Sequence, residues 1–383
     1  MKKVIFGTAL ASMALFSACS SDNELANVET AASNAIGFHV VGNKAETRAT
    51  PITSTNITTT NFNVYAFTND GTAFMGTSDT SAGYNGINIS YKGEEGSKTW
   101  DYTTPSDLRY WPEKSTPLNF YAVNPGTFNT DIAAHYCWEF TSNSQKISYT
   151  CFDENGKTTN PENIDVMYAT APNQTYETSN GGKVKFTFKH ILSQVVFKAK
   201  TALASMEVNI ETIKIHNSRL GGVFTLPTAD APKGIWELKE AANPKLKWGT
   251  FTVVQGKNIT VTSTGADISV DDPLLFVPQT LDAWKTSATT AKPKADADTD
   301  HESYLEISCK IKQAGVYVFG SDSEYKTLYV PFGTTWEIGK RHIYTLIFGG
   351  GYDTDGHTIL KPINFEAETS DWVDGTGSGN IDM

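Results

Sequence analysis

The strongest constraint on this chain is a period of two. Lys183-Val184-Lys185-Phe186-Thr187-Phe188 alternates polar and apolar residues without a break, and Ile36, Phe38 and Val40 share one face of a shorter run, Ile36–Val41. In an extended chain, successive side chains point to opposite faces, so such runs suit strands with one buried face. Phe62–Phe67 ends at Asn69-Asp70-Gly71, and Leu118–Val123 ends at Asn124-Pro125-Gly126. Both endings are turn chemistry. Further strands are predicted at Val195–Lys200, Val208–Ile215, Phe251–Val254, Ile259–Thr262, Leu274–Val277, Tyr304–Ile311, Thr327–Val330, Arg341–Phe348 and Ile363–Glu368. No segment carries a long apolar stripe at helical spacing. The pattern predicts an all-β chain built of sandwiches or barrels.

The chain has 383 residues, long for one sandwich and right for two. A boundary is predicted near Lys189, giving units at 49–189 and 190–383. Residues 283–300, rich in Ala, Lys, Asp and Thr, are expected to form an exposed loop.

The N-terminus reads as a secretory signal over residues 1–18. Lys2 and Lys3 precede an apolar run from Val4 to Phe16, too short to span a bilayer. Ser17-Ala18-Cys19 then reads as a lipobox, with Cys19 diacylated after cleavage before it. The other reading is ordinary signal cleavage with an idle thiol left behind. Residues 20–35 are a polar tether, and Ser20-Ser21-Asp22-Asn23-Glu24 resembles an acidic export tag for the outer face of an outer membrane. After the Ile36–Val41 strand, Thr47-Arg48-Ala49 lies in a polar linker suited to a trypsin-like protease.

The net charge is −11 with no basic block, which argues against nucleic acid as a partner. Cys137, Cys151 and Cys309 show no CxxC spacing, so a zinc site is not expected. Cys137 and Cys151 flank a predicted hairpin, where they either pair or serve as small buried hydrophobes. No catalytic motif is present, and neither a cofactor nor a metal site is expected. Gly349-Gly350-Gly351 reads as a loop. Asp353-Thr354-Asp355-Gly356 reads as a solvated turn in preference to a calcium loop. Asp371 and Asp374 are not convincing paired carboxylates. Trp111, Trp248, Trp284 and Trp372 are read as core aromatics in preference to a sugar platform.

The order of these features resembles the fimbrillins, the type V pilins of the Mfa-like kind. The resemblance rests on the lipobox at Cys19, the Ile36–Val41 strand before Thr47-Arg48-Ala49, Phe62–Phe67, Arg109-Tyr110-Trp111-Pro112, Leu118–Pro125, Asp165–Ala169, Phe188–Val195, Tyr344–Gly351 and Asp371–Gly375. It implies two tandem transthyretin-like Greek-key β-sandwich domains and a lipoprotein precursor that is a structural or tip subunit of a surface fimbria. It further implies that residues 19–48 are a lipidated leader, cut between Arg48 and Ala49 by an arginine-specific protease. Loss of Ile36, Phe38 and Val40 would then open a groove for a neighbour's strand. The candidate donor residues are Ile363, Phe365, Ala367, Trp372 and Val373. The implied partners are other pilin subunits, the protease, an outer-membrane lipid anchor and a host or bacterial surface ligand. The alternative reading is a surface-exposed glycan-binding lipoprotein without fibre assembly.

Overall fold

The computed structural model describes residues 34–41, 57–76, 86–95, 98–113, 115–126, 136–151, 164–179, 181–228, 232–238, 248–269, 274–285, 301–352, 358–360 and 364–371. Among them the regular structure is almost entirely β, with two 3-10 turns and no α-helix.

The first half contributes β1 (Gly37–Val41), β2 (Asn61–Thr68), β3 (Ala73–Met75), β4 (Ile87–Lys92), β5 (Thr99–Tyr102), β6 (Leu118–Asn124), β7 (Tyr136–Phe140), β8 (Gln145–Thr150), β9 (Met167–Gln174), β10 (Lys183–Thr187) and β11 (Lys189–His190). A sheet runs β11-β9-β6-β2-β4-β5, with β3 also on β2. β1 and β10 form a separate two-stranded sheet. Both sheets bury apolar residues in one cluster that includes Phe38, Phe62, Val64, Trp100, Trp111, Phe120, Val184 and Phe186.

The second half contributes β12 (Ser193–Thr201), β13 (Met206–Arg219), β14 (Gly221–Thr225), β15 (Ile235–Leu238), β16 (Trp248–Val261), β17 (Ala266–Asp267), β18 (Leu274–Phe276), β19 (Thr280–Leu281), β20 (Tyr304–Gln313), β21 (Val316–Phe319), β22 (Lys326–Pro331), β23 (Thr334–Thr335), β24 (Lys340–Phe348), β25 (Gly350–Tyr352), β26 (Thr358–Leu360) and β27 (Asn364–Asp371). One sheet runs β17-β12-β24-β27 with β18 on β12, and another runs β16-β13-β20-β22-β25-β26 with β21 on β20. Their inward residues, such as Phe197, Ile213, Phe276, Ile307, Trp336 and Tyr344, share a second cluster.

The halves meet in the four-stranded sheet β15-β14-β8-β7, where Phe224 of β14 stands opposite Ile147 of β8. Burial extends across this junction. Phe62, Val64 and Ala66 of β2 pack into the first cluster, while Tyr65 and Phe67 pack into the second. β2 is therefore buried on both faces, and the Tyr65 hydroxyl is capped by the Trp138 indole N–H at 2.6 Å.

Some expectations change. Phe251–Val254 and Ile259–Thr262 belong to one strand, β16, because shifts in its register with β13 absorb the irregular middle. Gly350 and Gly351 are not a loop but part of β25, paired with β22 and β26. Cys151 is a free thiol, buried, with its sulfur 3.9 Å from the Leu275 carbonyl oxygen. In the β7–β8 ladder Cys137 stands opposite Ser148, out of register with Cys151. Cys309 is also free and buried. Burial pushes the Cys151 thiol up to about 12 and raises that of Cys309 as well. The loop expected from Ala283 onward and the turn at Asp353–Gly356 lie largely or wholly outside the described residues.

Candidate functional site

β1 is where the sequence places the leader strand, and its seat is built from four directions. It runs parallel to β10, with Phe38 opposite Val184 and Val40 opposite Phe186. The Gly37 N–H donates to the Gly182 carbonyl at 3.0 Å, and the Ile36 N–H donates to the Arg109 carbonyl at 2.9 Å. The Trp111 N–H reaches the Asn34 carbonyl at 3.0 Å, while its indole N–H reaches the Gly182 carbonyl at 2.9 Å. The Tyr102 hydroxyl donates to the Ile36 carbonyl at 3.0 Å, and burial raises its pKa well above the ordinary phenol value. Backbone groups that would otherwise be buried without partners are thus satisfied along the strand.

The alternation in the sequence becomes a division of labour. Ile36 and Phe38 are buried, with 1% and 4% of their surface exposed, and Val40 packs against the same cluster half-buried. His39 points outward. Phe38 meets Phe62 and Tyr102 edge-on, with centroids 6.4 and 5.7 Å away, and lies flat on Phe186. Fully burying side chains of this size stabilises by about 1.5–3 kcal/mol each. β10 has β1 as its one ladder partner among the described strands. Taking β1 away therefore exposes both an apolar surface and a row of unpaired backbone groups, the condition for strand addition. The sequence reading missed Tyr102, Trp111 and Gly182 as walls of this seat. Two aromatic residues inside a polar stretch were the available signal.

The candidate donor strand is β27. It pairs antiparallel with β24, with Phe365 opposite Leu346 and Ala367 opposite Tyr344. β27 ends its sheet, so one edge has no partner among the described strands, and residues 366–370 are exposed. Glu366 forms an ion pair with Lys200 at 3.2 Å. β1 and β27 lie in different sheets, and the structure does not bring them together. Cys19, Arg48, Ala49, Ile363, Trp372, Val373 and Asp374 lie outside the described residues.

Among the described residues no group of three His, Cys, Asp or Glu side chains is placed to hold a metal ion, and no helix is long and apolar enough to cross a membrane. Trp111 and Trp284 are buried, at 7% and 5% exposure. Trp248 is covered by Arg219, 4.1 Å above its ring, and by His301, stacked at 4.5 Å.

A family model described as fimbrillin-like matches residues 47–372. The match begins after β1. A fimbrial protein from Bacteroides vulgatus has a similar fold, with a TM-score of 0.50 at 16% identity, over 88% of this chain and 99% of that one. Weaker likenesses extend to a candidate cell adhesion protein from Bacteroides uniformis (TM-score 0.44, 11% identity, 88% and 98% covered). They extend also to the tip fimbrial protein Mfa3 from Porphyromonas gingivalis with C-terminal truncation (TM-score 0.38, 11% identity, 88% and 99% covered). No curated protein matches the sequence.

Proposed function

The chain belongs to the fimbrillin-like family, and from that membership we propose that it is a subunit of a surface fimbria assembled by protease-triggered strand exchange. The observation that carries this reading is the seat of β1. The strand supplies Ile36 and Phe38 to the core of the first half, yet it enters from the N-terminal side of the Arg48–Ala49 bond.

In this reading Cys19 is lipidated and delivers the precursor to the outer membrane surface. The protease cuts after Arg48, and the lipid and β1 leave together. Residues 1–48 carry four basic and four acidic residues, so the cut leaves the net charge at −11. The mature chain, with sandwich units at 49–189 and 190–383, exposes the groove along β10. A neighbour's C-terminal strand, using the residues of Ile363, Phe365, Ala367, Trp372 and Val373, fills it. Pairing of β27 with β24 over eight residues keeps the donor segment in its own sheet, which supports a terminal, tip position over a stalk position.

The test is the N-terminus recovered from surface-sheared fimbriae. A chain starting at Ala49 is expected, together with loss of assembly in Arg48→Ala. A wild-type chain always starting at lipidated Cys19, or normal assembly of Arg48→Ala, would sink the proposal.

A further inference from the structure

In the sheet that contains β13, β20 and β21, a surface cleft is lined by two lysines and one glutamate. The register of β13 and β20 creates it. Val208, Ile210, Cys309 and Ile311 point inward and are buried. The alternate residues therefore point outward, and Glu207 stands opposite Lys312 while Asn209 stands opposite Lys310. Tyr317 of β21 and Tyr325, just before β22, flank this square and enclose a cleft of about 300 Å³.

The side chains are held in place. The Lys310 ammonium sits 4.3 Å from the Tyr325 ring centroid and donates to the Asp322 carbonyl at 2.6 Å. The Lys312 ammonium sits 4.7 Å from the Tyr317 ring centroid. The Tyr325 hydroxyl donates to Asn209 Oδ1, and the Asn209 amide donates to Thr260 Oγ1 at 3.3 Å. Two ammonium groups two residues apart on one strand face repel each other; Glu207 opposite Lys312, and the Asp322 carboxylate that accepts from the Tyr317 hydroxyl at 3.3 Å, offset part of that repulsion, and an anion bound between the lysines offsets more. The two lysines stand on a chain whose net charge is −11.

We infer that this cleft is a binding site for an acidic saccharide, a sugar carrying a carboxylate. Lys310 and Lys312 bind the carboxylate. Glu207 can only accept hydrogen bonds, so it requires donors on the ligand, and sugar hydroxyls supply them beside the charge. Tyr317 and Tyr325, each with one ring face covered by a lysine ammonium, line the cleft as the aromatic surface available to the apolar side of a pyranose. A stretch of acidic peptide side chains would satisfy the lysines but would face Glu207 with a like charge. The inference is independent of strand exchange.

The experiment uses the chain of residues 20–383 with sialyllactose, trigalacturonate, lactose and pentaglutamate as probes, followed by calorimetry and saturation-transfer NMR. At least one acidic saccharide is expected to bind, with lactose and pentaglutamate weaker, and its affinity is expected to fall as salt rises. Lys312→Glu is expected to weaken it by about tenfold or more, with Lys310→Met as a second, charge-removing variant. Lys198→Glu, on a distant exposed lysine, is expected to leave it unchanged. Absence of binding by both acidic saccharides overturns the inference. So does lactose binding equally well, pentaglutamate binding at least as tightly, or equal loss in Lys198→Glu.

Discussion

Phe38 lies flat against Phe186, their ring centroids 6.0 Å apart and their planes 7° from parallel. The stack is diagonal, since the ladder sets Phe38 opposite Val184 and Val40 opposite Phe186. A ring from β1 thus joins a core to which Ile36 and Val40 also contribute and whose remaining members lie after Arg48. Sequence-distant closure of this kind makes β1 a cover as well as a strand, and its removal is felt at Phe62, Tyr102 and Phe186 together.

Phe38→Ala in the uncut chain should cost about 3–5 kcal/mol, the range for a large aromatic lost from a packed core. His39→Ala, one residue on and exposed, should stay within about 0.5 kcal/mol of the parent. Urea unfolding of the two variants checks this. Equal midpoints would mean that β1 is not seated as described.

Much of this was legible in the sequence because period-two burial is local. Ile36, Phe38 and Val40 sort themselves to one face with no knowledge of the partner, and so do Val184 and Phe186 of β10. The pairing of these two strands was not legible. Their contact spans well over a hundred residues, and alternation says which face is buried but not against what. The junction of β8 with β14 was hidden for the same reason, and a boundary drawn near Lys189 says nothing about strands crossing it. Likewise the lysine-lined cleft needs the register of β13, β20 and β21, which no single run of residues carries.

The junction predicts a sensitive glycine. A Cβ at Gly221 would come within 2.4 Å of the Tyr149 carbonyl oxygen and 3.0 Å of the Thr150 Cα, both backbone atoms of β8. Gly221→Val must push β14 off β8 and is expected to destabilise by about 1–3 kcal/mol or more. Calorimetry should also show one unfolding transition separating into two as the halves uncouple. An unchanged thermogram would remove β8–β14 pairing as the link between them.

Glu306 predicts an acid dependence. It accepts from His216 Nε2 and from Lys214 Nζ, each at 2.9 Å, and chiefly the His216 hydrogen bond, with that of Lys214, holds its carboxyl down to about 2. A carboxyl lowered on folding contributes stability that is complete above its unfolded pKa and lost as the pH falls through the folded one. The window therefore runs from about pH 5 down to about pH 2. Because its side chain is partly exposed, Glu306→Gln should cost only about 1–2 kcal/mol at pH 7. Urea titrations should show that difference closing at about pH 2, where the parent carboxyl is itself becoming neutral.

His342 predicts a second pH dependence, at the β24–β27 edge. Its Nε2 accepts the Glu337 N–H at 3.1 Å, which leaves the proton on Nδ1, 3.2 Å from Thr369 Oγ1 on β27. The ring is buried, and that desolvation lowers its pKa, reinforced by Lys340 and opposed by Glu337. Protonation puts a hydrogen on Nε2, where the Glu337 N–H already points, so the charged form loses an acceptor as well as its hydration. For a histidine lowered on folding, the unfolded chain takes up its proton first. Stability is therefore present above the unfolded pKa, near 6.5, and lost as the pH falls below it. Amide exchange in residues 364–371, corrected for its intrinsic pH dependence, should be several-fold less protected at pH 5 than at pH 7.5. His342→Gln should flatten that difference, since it cannot take up the proton. Equal protection at the two pH values in the parent chain would show that the β27 edge is held without help from His342.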